Sequence, residues 1–297
     1  MAGIRPPAVA GSFYARNPEA LLRSLRDCFT HQLGPGRLPE VNPNGPGRML
    51  ALVSPHAGYL YSGPAAANGF AALAADGVPD SVVILGPSHR ASERGAAVST
   101  AEAWRTPLGD LPVDRDLCSQ LLDASDLLAA DEWTHAQEHS LEVQVPFLQF
   151  SYGDRVPAIV PICLGFHAWE GGEEVVAAAR ALGETIARVA DGRRVVVIAS
   201  TDFSHQVPRD VAVRQDRLAL DAILALDPDR LLRAVVAHRI STCGPVPVAV
   251  ALSFCLARGG GSAELLRYYT SGDIIGDKTA VVGYASVVIR REGGATP

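Results

Sequence analysis

Short runs of Val, Ile and Leu recur along the chain, separated by longer stretches in which apolar residues return every three or four positions. The runs near 49–53, 82–85, 96–99, 158–163, 195–199 and 279–289 read as strands. "VVIL" and "VVVIA" carry no polar alternation, as expected of strands covered on both faces. Helical patterns lie between many of them. A helix is predicted at about 18–32, followed by a Gly/Pro/Asn-rich surface connection over 34–48. "PAAANGFAALAA" (64–75) and "SLEVQVPFLQF" (140–150) read as helices, as do 173–190 and 211–226. "PVPVAVALSFCLA" (245–257) is apolar all round and too short to span a membrane, so it reads as a buried helix. Alternating strands and helices predict an α/β fold: a mostly parallel central sheet flanked by helices. Nothing in the pattern marks a boundary, so residues 1–297 are expected to form a single domain.

Composition narrows the picture. Of the 297 residues, 48% are hydrophobic and 20% charged, enough for a substantial core. The net charge is −6 and the only lysine is Lys278, which argues against a nucleic-acid binder. No signal or membrane segment is evident, so a cytoplasmic location with no membrane partner is the expectation. Five scattered cysteines with no C-x-x-C pair indicate free thiols.

The chemistry is suggested by where the strands end. "LALVSPHAGYLYSG" (50–63), "SVVILGPSHR" (81–90) and "VVVIASTDFSHQV" (195–207) each run from an apolar strand through turn residues to a histidine. One such histidine is ordinarily a hydrogen-bonded loop residue. Three of the eight in the same topological slot point to a site, because ligands in open α/β sheets bind beyond the carboxyl ends of the strands. His56, His89 and His205 can therefore converge.

Cys243, in "STCGPVPVAVAL", precedes Gly244 and Pro245 at a predicted helix start, where a thiol is expected to have a depressed pKa. The other four cysteines sit in apolar patterns and read as inert core. His135 and His139 are four apart, on one face if helical, but Ala136 stands where a zinc-protease helix needs Glu. His139 is the stronger candidate of the two, at the edge of the site. Asp202 lies three residues before His205 and could orient a histidine, accept from a substrate hydroxyl or simply cap a turn. Asp273 and Asp277 read as turn residues of a structured loop.

The segments "AGSFY" (10–14), "SPHAGYLYSG" (54–63), "LGPSH" (85–89), "EHSLEVQVPFL" (138–148), "STDFSH" (200–205), "TCG" (242–244) and "SGDIIGDKTAVVGYAS" (271–286) together resemble the Memo family, whose bacterial members are also called AmmeMemoRadiSam system protein B. The resemblance covers nearly the whole chain, with the motifs in order. It implies a fold related to the class III extradiol (LigB-type) dioxygenases, which use non-haem iron. By motif it implies His56, His89 and Cys243 as metal ligands, His139 and His205 as acid and base with Asp202 beside them, and Tyr61 lining the substrate pocket. Two positions depart from the family pattern: Ala15 where proline is common, and Gln206 where an aromatic is usual.

The resemblance implies a metal-dependent oxidoreductase, with iron (Fe2+) first and copper or zinc as alternatives. A thiolate in place of a carboxylate softens the donor set. A non-catalytic binding or adaptor protein using the same pocket, a zinc hydrolase and a cysteine-nucleophile hydrolase are the other readings. The family name also implies a functional link to radical-SAM and AMMECR-type proteins. This chain lacks the cysteine cluster that radical-SAM chemistry needs.

Overall fold

The computed structural model describes residues 3–89 and 95–292, with backbone only at 169–171. In chain order the strands are β1 (Ile4–Arg5), β2 (Met49–Ser54), β3 (Ser81–Pro87), β4 (Ala96–Val98), β5 (Ala103–Thr106), β6 (Gly109–Pro112), β7 (Leu128–Ala130), β8 (Ala158–Leu164), β9 (Val195–Ser200), β10 (His205–Val207), β11 (Gly260–Thr270) and β12 (Val281–Arg291). The helices are α1 (Pro18–Thr30), α2 (Tyr59–Asp76), α3 (Arg115–Ala124), α4 (Glu132–Ala136), α5 (Val145–Tyr152), α6 (Ala168–Val189), α7 (Arg209–Leu224), α8 (Pro228–Ala237), α9 (Pro245–Ala257) and α10 (Ser271–Ile275).

The main sheet runs β10-β12-β2-β9-β3-β8-β4-β7, with β11 paired to β12. Its centre, β2-β9-β3-β8, is parallel throughout. Its flanks are not: β12 pairs antiparallel with β2, β10 and β11, and β4 pairs antiparallel with β8. The expected parallel sheet is thus present at the centre, and the antiparallel pairs at its flanks make the sheet as a whole mixed. The reason is local. β11 and β12 are joined by a short helical turn, α10, which reverses the chain but cannot carry it back for a parallel crossover. The early strands β1, β5 and β6 form a separate three-stranded sheet.

The all-apolar strands behave as their composition requires. Every residue of β2, β3 and β9 is buried. One group of helices packs through α2 onto β2 and β12, with α1 and α5 against α2. A second group, α6 and α8, packs through α9 over β2, β3 and β9. α9 is buried along almost its whole length, as its unbroken apolar sequence predicts. α1 starts where local chemistry dictates: the Asn17 side chain accepts from the Ala20 amide, and Pro18 opens the first turn.

Other differences from the sequence reading have physical causes. α2 begins at Tyr59, earlier than the Ala-rich run suggested, and continues through Pro64. Residues 140–150 divide into a 3-10 turn (Glu142–Gln144) and α5. Asp273 does more than turn the chain: it closes a capping box with Thr270 at the start of α10. β11 was hidden by its Gly-Gly-Ser opening. All five cysteines are free, and no helix among the described residues is long and apolar enough to cross a membrane.

The register places the site. Ser54 is level with Ser200 across β2 and β9, and Leu85 with Ala199 across β3 and β9. The three strands thus end at one edge. His56, Asp202 and His89 each stand two residues past the last residue of their strand, so a shared register becomes a shared location.

Candidate metal centre

Three imidazoles meet at that edge. One ring nitrogen each from His56, His89 and His139 lie within 4.8 Å of one another. The His56 ring stands edge-on to the other two, with centroids 5.3 Å from His89 and 5.5 Å from His139. His89 and His139 lie face to face at 4.5 Å, tilted 31°. The Cys243 sulfur is 3.1 Å from Nε2 of His56. It comes from the loop ahead of α9 and meets His56, but it is not among the mutually close donor atoms of the three rings.

The partners of these rings determine which nitrogen carries the proton. Nδ1 of His56 is 2.9 Å from Ser200 Oγ. That hydroxyl donates its one proton to the Ser140 carbonyl and accepts from Gln144 Nε2. It can only accept from His56, so Nδ1 is the N–H and Nε2 keeps its lone pair. Nδ1 of His89 faces Glu138 Oε1 at 3.0 Å, and Nδ1 of His139 faces the same oxygen at 3.3 Å. A carboxylate accepts, so the hydrogen-bonded His89 ring carries a proton at Nδ1 and turns Nε2 away from Glu138. Nδ1 of His205 donates to the Ser241 carbonyl at 2.8 Å. His56, His89 and His205 are thereby each held through Nδ1 with Nε2 turned away from that partner, the arrangement that orients metal-ligating histidines.

The electrostatics agree. Burial, reinforced by the neighbouring His89 and His139, pushes His56 well below the ordinary imidazole range, so it stays neutral. Burial alone would raise the Glu138 carboxyl. The His89 ring and amide and the Ser140 amide outweigh it and hold Glu138 well below the usual carboxylate range. Glu138 is therefore a fixed negative charge beneath two rings. Burial lifts Asp202 to about 6, opposed by His205 and the amides of His56 and Ala57.

Sequence and structure part company at several residues. The Cys243 thiol is not activated by the start of α9. Although the residue is only half-buried, desolvation of the sulfur and the nearby Asp202 charge push its pKa up, against the Asp202 amide that donates to it at 3.2 Å. Asp202 orients neither His139 nor His205 through a hydrogen bond to the ring. Its carboxylate accepts from the His56 amide at 2.8 Å and fixes the turn after β2. Orientation of those rings falls to Glu138 and Ser241. His135 is a core residue: α4 ends at Ala136, so it does not share a helix face with His139. It bonds the Ala97 carbonyl and packs edge-on against Trp104. Tyr61 lies in the first turn of α2, half-buried in a cluster with Ala57, Tyr269 and Tyr284 beside the His56 turn. Gln206 is exposed, with φ of 58°, at a bulge between β10 and β12.

Glu138, Ser200, Gln144 and Ser241 were missed as site residues. Glu138 carried one available signal: a charged residue between histidines, just ahead of an apolar run. The others are polar residues that only the assembled edge brings beneath the rings.

The donors suit a first-row transition ion. Imidazole serves zinc, copper and iron, and sulfur adds a softer ligand. Access is also present: the His89 side chain is 30% exposed and that of His139 16%, whereas His56 is buried. An ion bound here would face solvent on one side.

Comparison with known proteins gives a consistent result. A family model described as Memo-like protein matches residues 5–288. The chain is 44% identical to a MEMO1 family protein of Methanopyrus kandleri, over 97% of this chain and 99% of that one. It is also 44% identical to a MEMO1 family protein of Ignicoccus hospitalis, over 96% and 98%. In fold it resembles the crystal structure of an uncharacterized protein from Escherichia coli K12, with a TM-score of 0.54 and 14% identity, over 81% of this chain and 99% of that one.

Proposed function

We propose, from the premise that this chain belongs to the Memo-like family, that it is a non-haem metal-dependent oxidoreductase of dioxygenase-like type, with Fe2+ as its ion. The observation that carries this reading is the set of three ring nitrogens within 4.8 Å of one another at the strand ends. His56 and His89 each have Nδ1 tied down, which leaves Nε2 as the nitrogen that can face an ion. Cys243, beside His56, supplies the sulfur ligand.

Fe2+ held by these residues would supply the redox chemistry that activates dioxygen toward a chelating substrate such as a catechol. The protein's own residues do the rest. Ser200 and Glu138 hold the rings of His56 and His89 in place through Nδ1. Asp202 clamps the backbone at His56, so the ring cannot swing away. His205, anchored through Nδ1 to Ser241, keeps Nε2 for taking a proton from a substrate hydroxyl, a transfer suited to imidazole near neutral pH. The exposed side of His89 gives the substrate its approach. A cysteine nucleophile finds less support, because a thiol pushed up in pKa by desolvation of its sulfur is a poor source of thiolate.

Anaerobically purified protein should be analysed for metal, reloaded with Fe2+ and assayed for oxygen consumption with a panel of catechols. Iron near one equivalent, with oxygen uptake lost in His89→Ala, is the expected result. Catechol binding with no oxygen uptake under any metal would favour an adaptor. Full metal occupancy in His89→Ala would overturn the reading.

A further inference from the structure

We infer that Asp216, on α7, is a positioning residue for His205: acting through Ser204, it holds the turn after β9 so that the His205 ring stays docked on Ser241 through Nδ1. This rests on the proton-carrying role given to His205 above, and it adds to that step a residue that lies outside the strand ends.

Asp216 is fully buried, a costly place for a carboxylate unless its oxygens are used. Both are. Oδ1 accepts from the Ser204 amide at 2.9 Å and from the Ser204 hydroxyl at 2.5 Å. Oδ2 accepts from the Tyr268 hydroxyl at 2.7 Å. One carboxylate thus ties α7 to β11 on one side and to the residue before His205 on the other. β12 leaves it room. A side chain at Gly283 would run into Oδ2, so the glycine of "VVGYAS" is where the sheet admits this carboxylate. Gly283 also pairs with the same turn: it accepts from the Phe203 amide and donates to the Ser204 carbonyl, each at 2.9 Å.

The consequence falls on the next residue. Ser204 is held at its amide, its carbonyl and its hydroxyl. The chain therefore enters His205 from a fixed point. The His205 amide donates to Ser241 Oγ at 2.8 Å, and its Nδ1 donates to the Ser241 carbonyl at 2.8 Å. The ring itself is only half-buried, so packing alone does not hold it. A free imidazole favours its proton on Nε2. The Ser241 carbonyl reverses that preference only while the ring is docked, and a proton on Nδ1 is what leaves Nε2 able to take another. Joining α7 to β11 requires the Tyr268 bond alone. The two bonds to Ser204 serve the turn that carries His205.

The tautomer of His205 is the readout, and nitrogen NMR of the imidazole rings reports it. Full-length protein labelled at histidine and treated with chelator would be compared with Asp216→Leu, Asp216→Asn and Tyr268→Phe in mildly alkaline buffer. His205→Gln assigns the signal, and melting curves confirm folding. The unmutated protein is expected to show His205 with its proton on Nδ1. Asp216→Leu fills the space but accepts no hydrogen bond, and should lower the ratio of the Nδ1–H to the Nε2–H form by at least about threefold. Asp216→Asn keeps an oxygen for Ser204 and should restore the ratio. Tyr268→Phe loses only the tie to β11 and should leave it unchanged. Should Asp216→Leu fail to fold, Ser204→Ala, which deletes the hydroxyl bond to Oδ1, is expected to lower the ratio by about twofold, and an unchanged ratio there overturns the inference. An unmutated protein with His205 in the Nε2–H form also overturns it, as does a Tyr268→Phe protein that shifts as far as Asp216→Leu. A folded Asp216→Leu protein with an unchanged ratio overturns it as well and leaves the oxidoreductase proposal standing. A shifted ratio in a protein that consumes no oxygen with any metal sinks that proposal instead and leaves the hold of Asp216 on His205 in place.

Discussion

His135 should make the protein lose stability in mild acid by an amount that can be worked out. The ring is fully buried, and its Nε2 lies 3.0 Å from the Ala97 carbonyl. A carbonyl only accepts, so Nε2 carries the proton. Nδ1 is bare and has no hydrogen-bond partner among the described residues. A second proton would therefore create a buried cation with an unpaired N–H. It would also stand near Arg5, whose guanidinium lies 4.1 Å above the Trp104 ring that His135 packs against. Burial is the main cause that lowers His135 from 6.5 to about 4, with Arg5 adding to it. The unfolded chain takes up this proton at higher pH than the folded one. The stability is thus complete above pH 6.5 and is lost as pH falls towards 4. Linkage gives a loss of about 2 kcal/mol by pH 5 and about 3 kcal/mol once both states are protonated. His135→Gln keeps an N–H for Ala97 but cannot titrate. Urea unfolding of both proteins from pH 7.5 to 4 isolates the term, because the other groups are common to both. The stability of the parent relative to the variant should decline by about 2 kcal/mol between pH 7.5 and 5. Parallel pH profiles would refute the reasoning.

Glu138→Gln should weaken Zn2+ binding by about 10- to 100-fold in a competition titration, because the change removes the negative charge beside the rings and puts an NH2 group against the His89 amide that Oε2 accepts from; unchanged affinity would show that Glu138 is not needed to aim them. In metal-free protein, Cys243 should alkylate more slowly than a free thiol at pH 8, with its pH profile displaced upward, since burial raises its pKa. Comparing iodoacetamide rates with a Cys243→Ser control tests this, and an apparent pKa below about 8.5 contradicts it. Gly183→Ala should destabilise the fold by about 1–3 kcal/mol, because the new methyl would sit 2.5 Å from Ser253 Cβ and 2.6 Å from the Val250 carbonyl, between α6 and α9. An unchanged melting temperature would refute a close contact between these two helices.

The linear chain already determined where chemistry would gather. Strands such as "VVIL" and "VVVIA" can only be buried on both faces, and a histidine shortly after such a strand must lie at the sheet edge. Period and turn chemistry are local properties, which is why β2, β3, β9 and the wholly buried α9 were legible. The antiparallel flank was not, because the direction in which β12 joins β2 depends on packing rather than on the pattern within either strand. The same division runs through the site. His56 and His89 were found from their positions after strands. The shared hold of Glu138 on His89 and His139 spans 49 residues in one case and a single residue in the other, and no periodicity links the three. Cys243 shows the limit most clearly. Its place before a helix suggested a lowered pKa, yet the folded protein surrounds the sulfur and sets Asp202 beside it. Desolvation depends on everything packed around an atom, so the three-dimensional assembly, and not the neighbouring letters, decides the protonation of that thiol and which imidazoles meet.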